Sequence, residues 1–462
     1  MEFNPFAKKY RKGMKRVALL YPNKYVGMVS NVGLQNIYAS INKIDDAICE
    51  RFCLDVFDGL RSVETATPLN EFDLLLVSFQ YEMDYFAAVE IAKKFKGLKI
   101  AGGPCVMENP EPIKKYFDAF FIGEVENSLA DIVKAKSVEE LSGIPGIYTK
   151  KEDRVKRVYV KIEKHIEKEI IADGAFGRCF LIEIGRGCIR KCRFCIVRQI
   201  YSPPRWRKIE DLPEKLDSEK IAIIAPSPTD HPRILDLIQN FAEKGYKISL
   251  SSVRADSLND ELAEILSKST RSITLAPETA SQKLLDVVNK GLTDEDIIEA
   301  AKVAENRFEK IKLYYLIGLP NETLEDVKKI VEQVMNVKKF VKKVEISVNP
   351  LVPKPHTPFQ WLPFGGTSGV AELKKKANFI IKECKKSGID VEVGNIKEFA
   401  IQTILSRGDE SVSKIFEGGR FKEFDRFLNS IDVDSELPWD FIDHGYSKQR
   451  LKKEFFEVIE NF

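Results

Sequence analysis

An α/β protein with two successive parallel sheets is what this chain of 462 residues predicts, and three observations carry that expectation. Short apolar runs alternate with amphipathic segments from about residue 15 to 135 and again from about 180 to 350. Gly or Pro punctuates most of the run ends. The second series keeps a regular beat of six strand-then-helix repeats, short of the eight of a closed barrel, so an open (β/α)6 partial barrel is expected. The division that follows is a doubly wound domain over 1–135, a connector with a small hairpin over 136–179, a partial barrel over 180–361 and a mainly helical region over 362–462.

In order, the first series reads RVALLY, a helix from about residue 30, CLDVF, DLLLVSF, a helix ending near residue 94, LKIAGG and DAFFIG. Continuous apolar runs of this kind fit a parallel sheet covered on both faces. Ligands of such sheets bind beyond the carboxyl ends of the strands, here 21–28, 79–85, 102–107 and 123–126. The Gly-Gly-Pro at 102–104 reads first as tight-turn chemistry and only second as a ligand cradle. The segment GIYTKKEDRVKRVYVKI reads as two alternating runs around a charged turn, hence a hairpin, followed by a Lys/Glu-rich bridge to residue 173. Barrel strands are expected at FLIEI, 220–225, 247–252, 272–276, 310–318 and 343–350, with helices at 231–243, 259–267, 281–306 and 323–338. The stretch VPKPHTPFQW has three prolines, which bar a regular helix or central strand, and is expected as a lid across the barrel's open side. Helices follow at 372–387 and 396–405, and no chemistry is fixed by the Phe- and Lys-rich tail.

Between the first barrel strand and the next lies IEIGRGCIRKCRFCIVR, with Cys188, Cys192 and Cys195 in C-x3-C-x2-C spacing. One tight loop can bring these three thiolates to a single inorganic centre. A structural zinc site wants four closed ligands, normally as two pairs, and no fourth Cys or His lies nearby. A [4Fe-4S] cluster with one iron not held by protein is the better reading. Eight Cys in 462 residues is the usage of a reducing compartment rather than a disulfide framework. The balance of 72 basic and 70 acidic residues gives no whole-chain argument for nucleic acid or an anionic membrane. No signal-peptide core and no run of 18 apolar residues is present, so a cytoplasmic protein with no membrane partner is expected.

At the cysteine loop the sequence resembles the radical SAM superfamily. With FDLLLVSFQYEMDY, AGGPCVMENPEP, SSVRADS, LAPETASQKLLDVVNKG, KLYYLIGLPNET and VPKPHTPFQW added, it is similar to a family of radical SAM proteins with a cobalamin-binding-like N-terminal domain and no assigned reaction. The resemblance implies that Cys188, Cys192 and Cys195 ligate the cluster and that Phe194 flanks the adenine of S-adenosylmethionine. Pro226 and Ser227 occupy the place of the loop supporting the methionyl amine and depart from its usual Gly-Gly-Glu. Ser252, Arg254 and Glu278 match contacts to ribose and carboxylate, and Gly318 matches the turn passing close to adenine. Glu278 reads equally as an acid at a helix N-terminus, and Arg186, Arg190 and Arg193 read either as cations tuning the cluster or as solvated charges.

The implied activity is reductive cleavage of S-adenosylmethionine, with a flavodoxin- or ferredoxin-type one-electron donor and a bulky substrate such as RNA or protein. Two enzymatic alternatives stand beside it. Cobalamin-dependent methylation is the less favoured of the cofactor options, since no Asp-x-His-x-x-Gly motif occurs and no His precedes His165. A methylthiotransferase-like enzyme would need a second cluster, for which Cys49, Cys53 and Cys105 are the candidates. A non-catalytic iron–sulfur scaffold that binds nucleic acid is the alternative from outside enzymology.

Overall fold

The structure, a computed structural model, describes residues 2–162, 165, 168–366 and 369–461. Its first sheet has six strands in the order β2-β1-β3-β4-β5-β6, namely β1 Lys15–Leu20, β2 Ala47–Phe52, β3 Leu74–Ser78, β4 Leu98–Gly102, β5 Ala119–Phe121 and β6 Ile147–Tyr148. The first five are parallel and β6 runs antiparallel to β5. One face is covered by the helices Val32–Asn42 and Leu129–Lys134. The other carries Phe79, Val89 and Phe117 into a second core.

Two expectations for this region change. The second strand is AICERF and not CLDVF, whose Leu54, Val56 and Phe57 are exposed. Its Arg51 is 2% exposed and is matched by Glu64 at 2.6 Å and Glu2 at 2.5 Å, so a charge is carried inside a fully buried strand. The two runs around the charged turn do not pair with each other: Ile147–Tyr148 joins β5, whereas Val155–Lys156 pairs in parallel with Ile442–Asp443, and the connector's small hairpin is instead Asp173–Gly174 against Gly177–Arg178. Each run finds a sheet edge from another part of the chain. Part of the charged bridge, at 163, 164, 166 and 167, lies outside the described residues.

The second half holds seven parallel strands: β7 Phe180–Glu183, β8 Lys220–Ile224 and β9 Lys247–Leu250 in one sheet, then β10 Ser272–Glu278, β11 Lys310–Ile317, β12 Lys343–Pro350 and β13 Asp390–Val393 in another. A backbone bond from Val253 to the Thr274 carbonyl, 3.2 Å, links their edges. The six expected strands are all present, and β13 extends the open barrel by one. Its residues alternate between exposed and half-buried, a weak signal in a charged stretch. The long helix expected over 281–306 breaks into Gln282–Val288 and Asp294–Ala304, with Asn289 in the left-handed region at φ 51° closing the first.

The proline-rich segment is not a lid. Phe359, Trp361 and Leu362 are buried in the second core beside Phe79 and Phe117 of the first half and Leu284 and Val287 of the barrel. Lys354 reaches Glu82, and Glu108 at 3.2 Å. The segment ties the two halves together.

Candidate active site

The cysteine loop leaves β7 through Gly185-Arg186-Gly187. Gly185 pairs antiparallel with Trp206, whose ring would lie 2.3 Å from a Cβ there. Gly187 sits at φ +74°, and a Cβ would meet the Tyr201 carbonyl at 2.4 Å. Both positions therefore require glycine, and the chain is turned sharply into Cys188. Cys192 is buried, whereas Cys188 and Cys195 are half-buried. The Arg190 N–H donates to Cys188 Sγ at 3.4 Å, and the Cys195 N–H to the Cys192 carbonyl at 3.3 Å.

Burial raises all three thiols, Cys195 to about 11. Arg190 and Arg254 oppose the shift at Cys188, and Lys290 and Arg254 at Cys192. Free, these groups are protonated thiols; as ligands they would be thiolates, with proton release coupled to iron binding.

Around them the rim of the barrel is a ring of paired charges. Arg190 Nε lies 3.1 and 3.0 Å from the two oxygens of Asp230, and Arg190 approaches Asp256 at 3.7 Å. Arg254 donates to both oxygens of Asp256, at 3.0 and 2.9 Å, and to the Gly291 carbonyl at 3.2 Å. Glu278, at φ +69° where the strand register slips, accepts from Lys290 Nζ at 2.8 Å. Burial opposes the charge on Lys290, but Glu278 and Cys192 hold its pKa above the usual lysine value. Asp230, Asp256 and Lys290 went unnoticed in the sequence; the left-handed Asn289 that folds Lys290 back towards Glu278 left only an Asn-Lys-Gly signature.

The sequence-predicted contacts divide. Ser227, after β8, is 8% exposed and faces the Asp230 carboxylate, while the neighbouring Thr229 Oγ1 is buried without a hydrogen-bond partner. Ser252 and Arg254 follow β9 and Glu278 ends β10, as the strand count required, while Pro226 is exposed. Gly318, at φ +79°, makes its close approach to Leu373, 2.7 Å from a notional Cβ, and donates to Glu322 at 2.8 Å. Phe194 packs against the second core. None of the three arginines is a free solvated charge: Arg186 is bound to Glu183 and Glu126, Arg190 to Asp230 and Arg193 to Glu457. Cys49 and Cys53 lie in the core under one face of the first sheet and Cys105 in the core under the other, so these candidates do not converge.

Among the described residues no three His, Cys, Asp or Glu side chains close on a single metal ion. The donor set does fit a cluster: three thiols of one loop, cations beside two of them, and an unpartnered hydroxyl, Thr229, at the next strand end.

Next to the loop a cavity of about 530 Å³ opens between the two halves. Its rim is made by Ser78 and Gln80 after β3, Gly102–Pro104 after β4, Gly123–Glu126 after β5 and Ile224–Pro226 on the barrel side. It continues beneath the first sheet along Leu19, Leu76, Val32 and Ile37. Gly103 serves as both turn and lining, since a Cβ would lie 2.6 Å from the Phe79 carbonyl. Arg186 spans the mouth, donating to Glu183 at 2.7 Å and pairing with Glu126 at 2.5 Å, while Arg205 holds Glu124.

Comparison with known proteins places this arrangement. Residues 182–334 match the family model described as the radical SAM superfamily, and 33–160 match that of radical SAM proteins, N-terminal. An uncharacterized protein of Methanocaldococcus jannaschii is 39% identical over 425 residues, 88% of this chain and 91% of the relative.

The chain belongs to the radical SAM superfamily.

As a radical SAM protein it is an enzyme, which sets aside the non-catalytic scaffold, and the family's cofactors are a [4Fe-4S] cluster and S-adenosylmethionine, with a reductant required. The ribosomal protein uS12 methylthiotransferase RimO of Clostridioides difficile is 24% identical over 34% of this chain and 40% of its own. Among solved structures, the radical S-adenosylmethionine methyltransferase TsrM of Kitasatospora setae, with cobalamin and a [4Fe-4S] cluster bound, superposes with a TM-score of 0.54 at 15% identity, over 75% of this chain and 76% of that one. This likeness is one of fold. Among the described residues no helix is long and apolar enough to cross a membrane.

Proposed function

We propose that this radical SAM enzyme cleaves S-adenosylmethionine reductively at a cluster held by Cys188, Cys192 and Cys195. The observation that carries this is the placement of three thiols on one loop at the carboxyl rim of an open barrel, with Arg254, Glu278 and Ser227 on the neighbouring strand ends. When bound at Cys188, Cys192 and Cys195, the cluster would supply the one electron that reductive cleavage of the sulfonium to methionine and a 5′-deoxyadenosyl radical requires. The chain's own part is positioning and exclusion of competing reactions. Arg254 and Lys290 offer cations to a carboxylate, Glu278 and Asp230 offer carboxylates to an amine, and the Ser227 hydroxyl beside Asp230 and the unpartnered Thr229 hydroxyl add donors at the same strand end. The bulky substrate would meet the radical from the cavity side, and a flavodoxin- or ferredoxin-type donor would supply the electron. The division proposed remains 1–135, 136–179, 180–361 and 362–462, with Ile147–Tyr148 of the connector added to the first sheet and Asp390–Val393 of the last region added to the barrel.

Anaerobic reconstitution followed by dithionite and S-adenosylmethionine tests it. The expected product is 5′-deoxyadenosine, lost together with iron in Cys188→Ala/Cys192→Ala/Cys195→Ala. A loaded wild-type enzyme that yields neither 5′-deoxyadenosine nor any other cleavage product would overturn the proposal.

The cavity favours a second reading, in which cobalamin sits between the halves with its base off. The cavity lies between the halves and runs beneath the first sheet as an elongated ligand requires, and its lining contains no histidine to bind cobalt from below. Titration with hydroxocobalamin followed by visible absorbance distinguishes the two readings. Saturable binding moves the proposed chemistry towards methyl transfer, and no spectral change removes cobalamin while leaving the first reading intact.

A further inference from the structure

The helix Lys448–Asn461 closes the chain with a division of labour along its surface. Leu451, Phe455 and Val458 are buried, at spacings of four and three, with the Phe455 ring 5.4 Å from that of Trp361. Glu454 and Glu457 point instead at the cysteine loop. Arg198 donates through both terminal guanidinium nitrogens to the two oxygens of Glu454, each at 2.7 Å, and to the Lys191 carbonyl at 3.1 Å. Arg193 donates to Glu457 at 3.1 Å and to the carbonyls of Asp286 and Val287 at 2.8 and 3.0 Å. Its own backbone N–H reaches the Val288 carbonyl at 2.9 Å. Arg198 and Glu454 keep 13% and 15% of their side chains exposed, so this two-pronged pair is largely shielded from water.

Arg193 stands between Cys192 and Cys195, and Arg198 follows Cys195 by three residues. Between Cys188 and Cys195 the backbone is held by few bonds, those to Cys188 and Cys192 already described and the one from Arg193 to Val288, so the side chains of Arg193 and Arg198 carry much of its anchoring. We propose that the C-terminal helix is a clamp on the cluster loop, with Glu454 and Glu457 as positioning residues that fix the cysteines through Arg198 and Arg193. This rests on the reading that the three cysteines hold a cluster. The clamp has two consequences. A cage of three ligands retains its cluster better when the loop is already in the bound geometry. Two carboxylates near the cluster also disfavour adding an electron to it, because net charge is one of the terms that set a cluster's potential.

The test uses the full chain, reconstituted anaerobically, as wild type, Glu454→Gln/Glu457→Gln and, as a control, Lys453→Gln, which changes an exposed side chain on the same helix. Iron per chain, the rate of bleaching by a chelator, the electron paramagnetic resonance of the reduced cluster and its midpoint potential are measured. The double variant should bleach about tenfold faster, the lower end of what losing a partner of a metal ligand costs, with an upward shift in potential; the control should match wild type. Exchanging the pair, Arg198→Glu/Glu454→Arg, should restore most of the retention. Wild-type bleaching and potential in the double variant would overturn the clamp. So would faster bleaching that merely tracks a lowered melting point, as in Phe455→Ala, which removes packing and leaves both ion pairs. A wild-type chain that takes up no iron removes the cluster reading and the clamp with it, whereas full wild-type loading with indifferent variants removes the clamp alone.

Discussion

At the scale of single residues, the site depends on backbone positions as much as on thiols. Gly187 is the sharpest case, because the obstacle to a side chain is the Tyr201 carbonyl, a backbone atom that cannot swing away, and because φ is +74°. Gly187→Ala should destabilise the loop by about 1–3 kcal/mol, the usual cost of a strained left-handed residue. The loss should appear as less iron per chain after reconstitution and a lower melting point, whereas Gly245→Ala, at φ +86° with nothing within 4 Å of its Cβ, should cost stability alone. Equal iron loading in the two variants would refute the argument. The cysteines and glycines of this loop were legible in the sequence because spacing and residue type are local. The charges were not: Lys290 meets Glu278 only because Asn289 turns left-handed, and Asp230 meets Arg190 across 40 positions of sequence.

At the scale of elements, the proline-rich segment shows what pattern reading leaves out. Its prolines correctly excluded helix and central strand, but its partners lie far away in the chain, and so its role as a tie could not be read. Lys354 is the centre of that tie, standing between Glu82 and Glu108, each 1% exposed, with Gln402 donating to Glu82 at 2.9 Å. Burial pushes Glu108 up to about 8, with Lys354 pulling it down and Glu82 pushing it up. Lys354→Met would leave two buried carboxylates without their cation, at a cost of about 3 kcal/mol, the lower end for breaking a buried pair. Urea denaturation at pH 8 should show the loss, and it should shrink at pH 5, where the orphaned carboxyls can take up protons. A pH-independent loss would mean that the lysine stem, not its charge, holds the segment. The strand β2 teaches the same lesson in reverse. Glu50 and Arg51 made AICERF look unlike a buried strand, and CLDVF took its place in the reading; Glu64 and Glu2, which make the burial of Arg51 tolerable, lie 13 and 49 residues away.

At the scale of the whole molecule, one core is shared by both halves, and it contains a histidine pair. His356 of the proline-rich segment and His444 of the tail meet edge to face with ring centres 4.4 Å apart. Their Nε2 atoms lie 3.0 and 2.9 Å from the carbonyls of Glu108 and Met107, which follow β4. A carbonyl only accepts, so each ring carries a proton on Nε2; His444 Nδ1 is left buried without a partner, which disfavours a second proton there. Burial, with Arg157 adding to it, lowers His444 to about 3, and burial with His444 beside it holds His356 well below the ordinary value. A histidine whose folded pKa is depressed binds its proton more readily when unfolded, so its contribution to stability is present above about pH 6.5 and is lost as the pH falls towards the folded value. Each histidine should therefore remove up to about 1.4 kcal/mol of stability per pH unit below that point. His444→Gln should flatten the fall in unfolding free energy between pH 6.5 and 4.5 relative to wild type, read from urea denaturation at each pH. Because the pair joins β4 to the tail and the proline-rich segment, the acid transition should expose the shared core and loosen both halves together, visible as one coincident change in tryptophan fluorescence, from Trp361 and Trp439 within that core, and in far-ultraviolet circular dichroism. Two separate transitions, or a slope unchanged by His444→Gln, would show that the halves are coupled by something other than this pair.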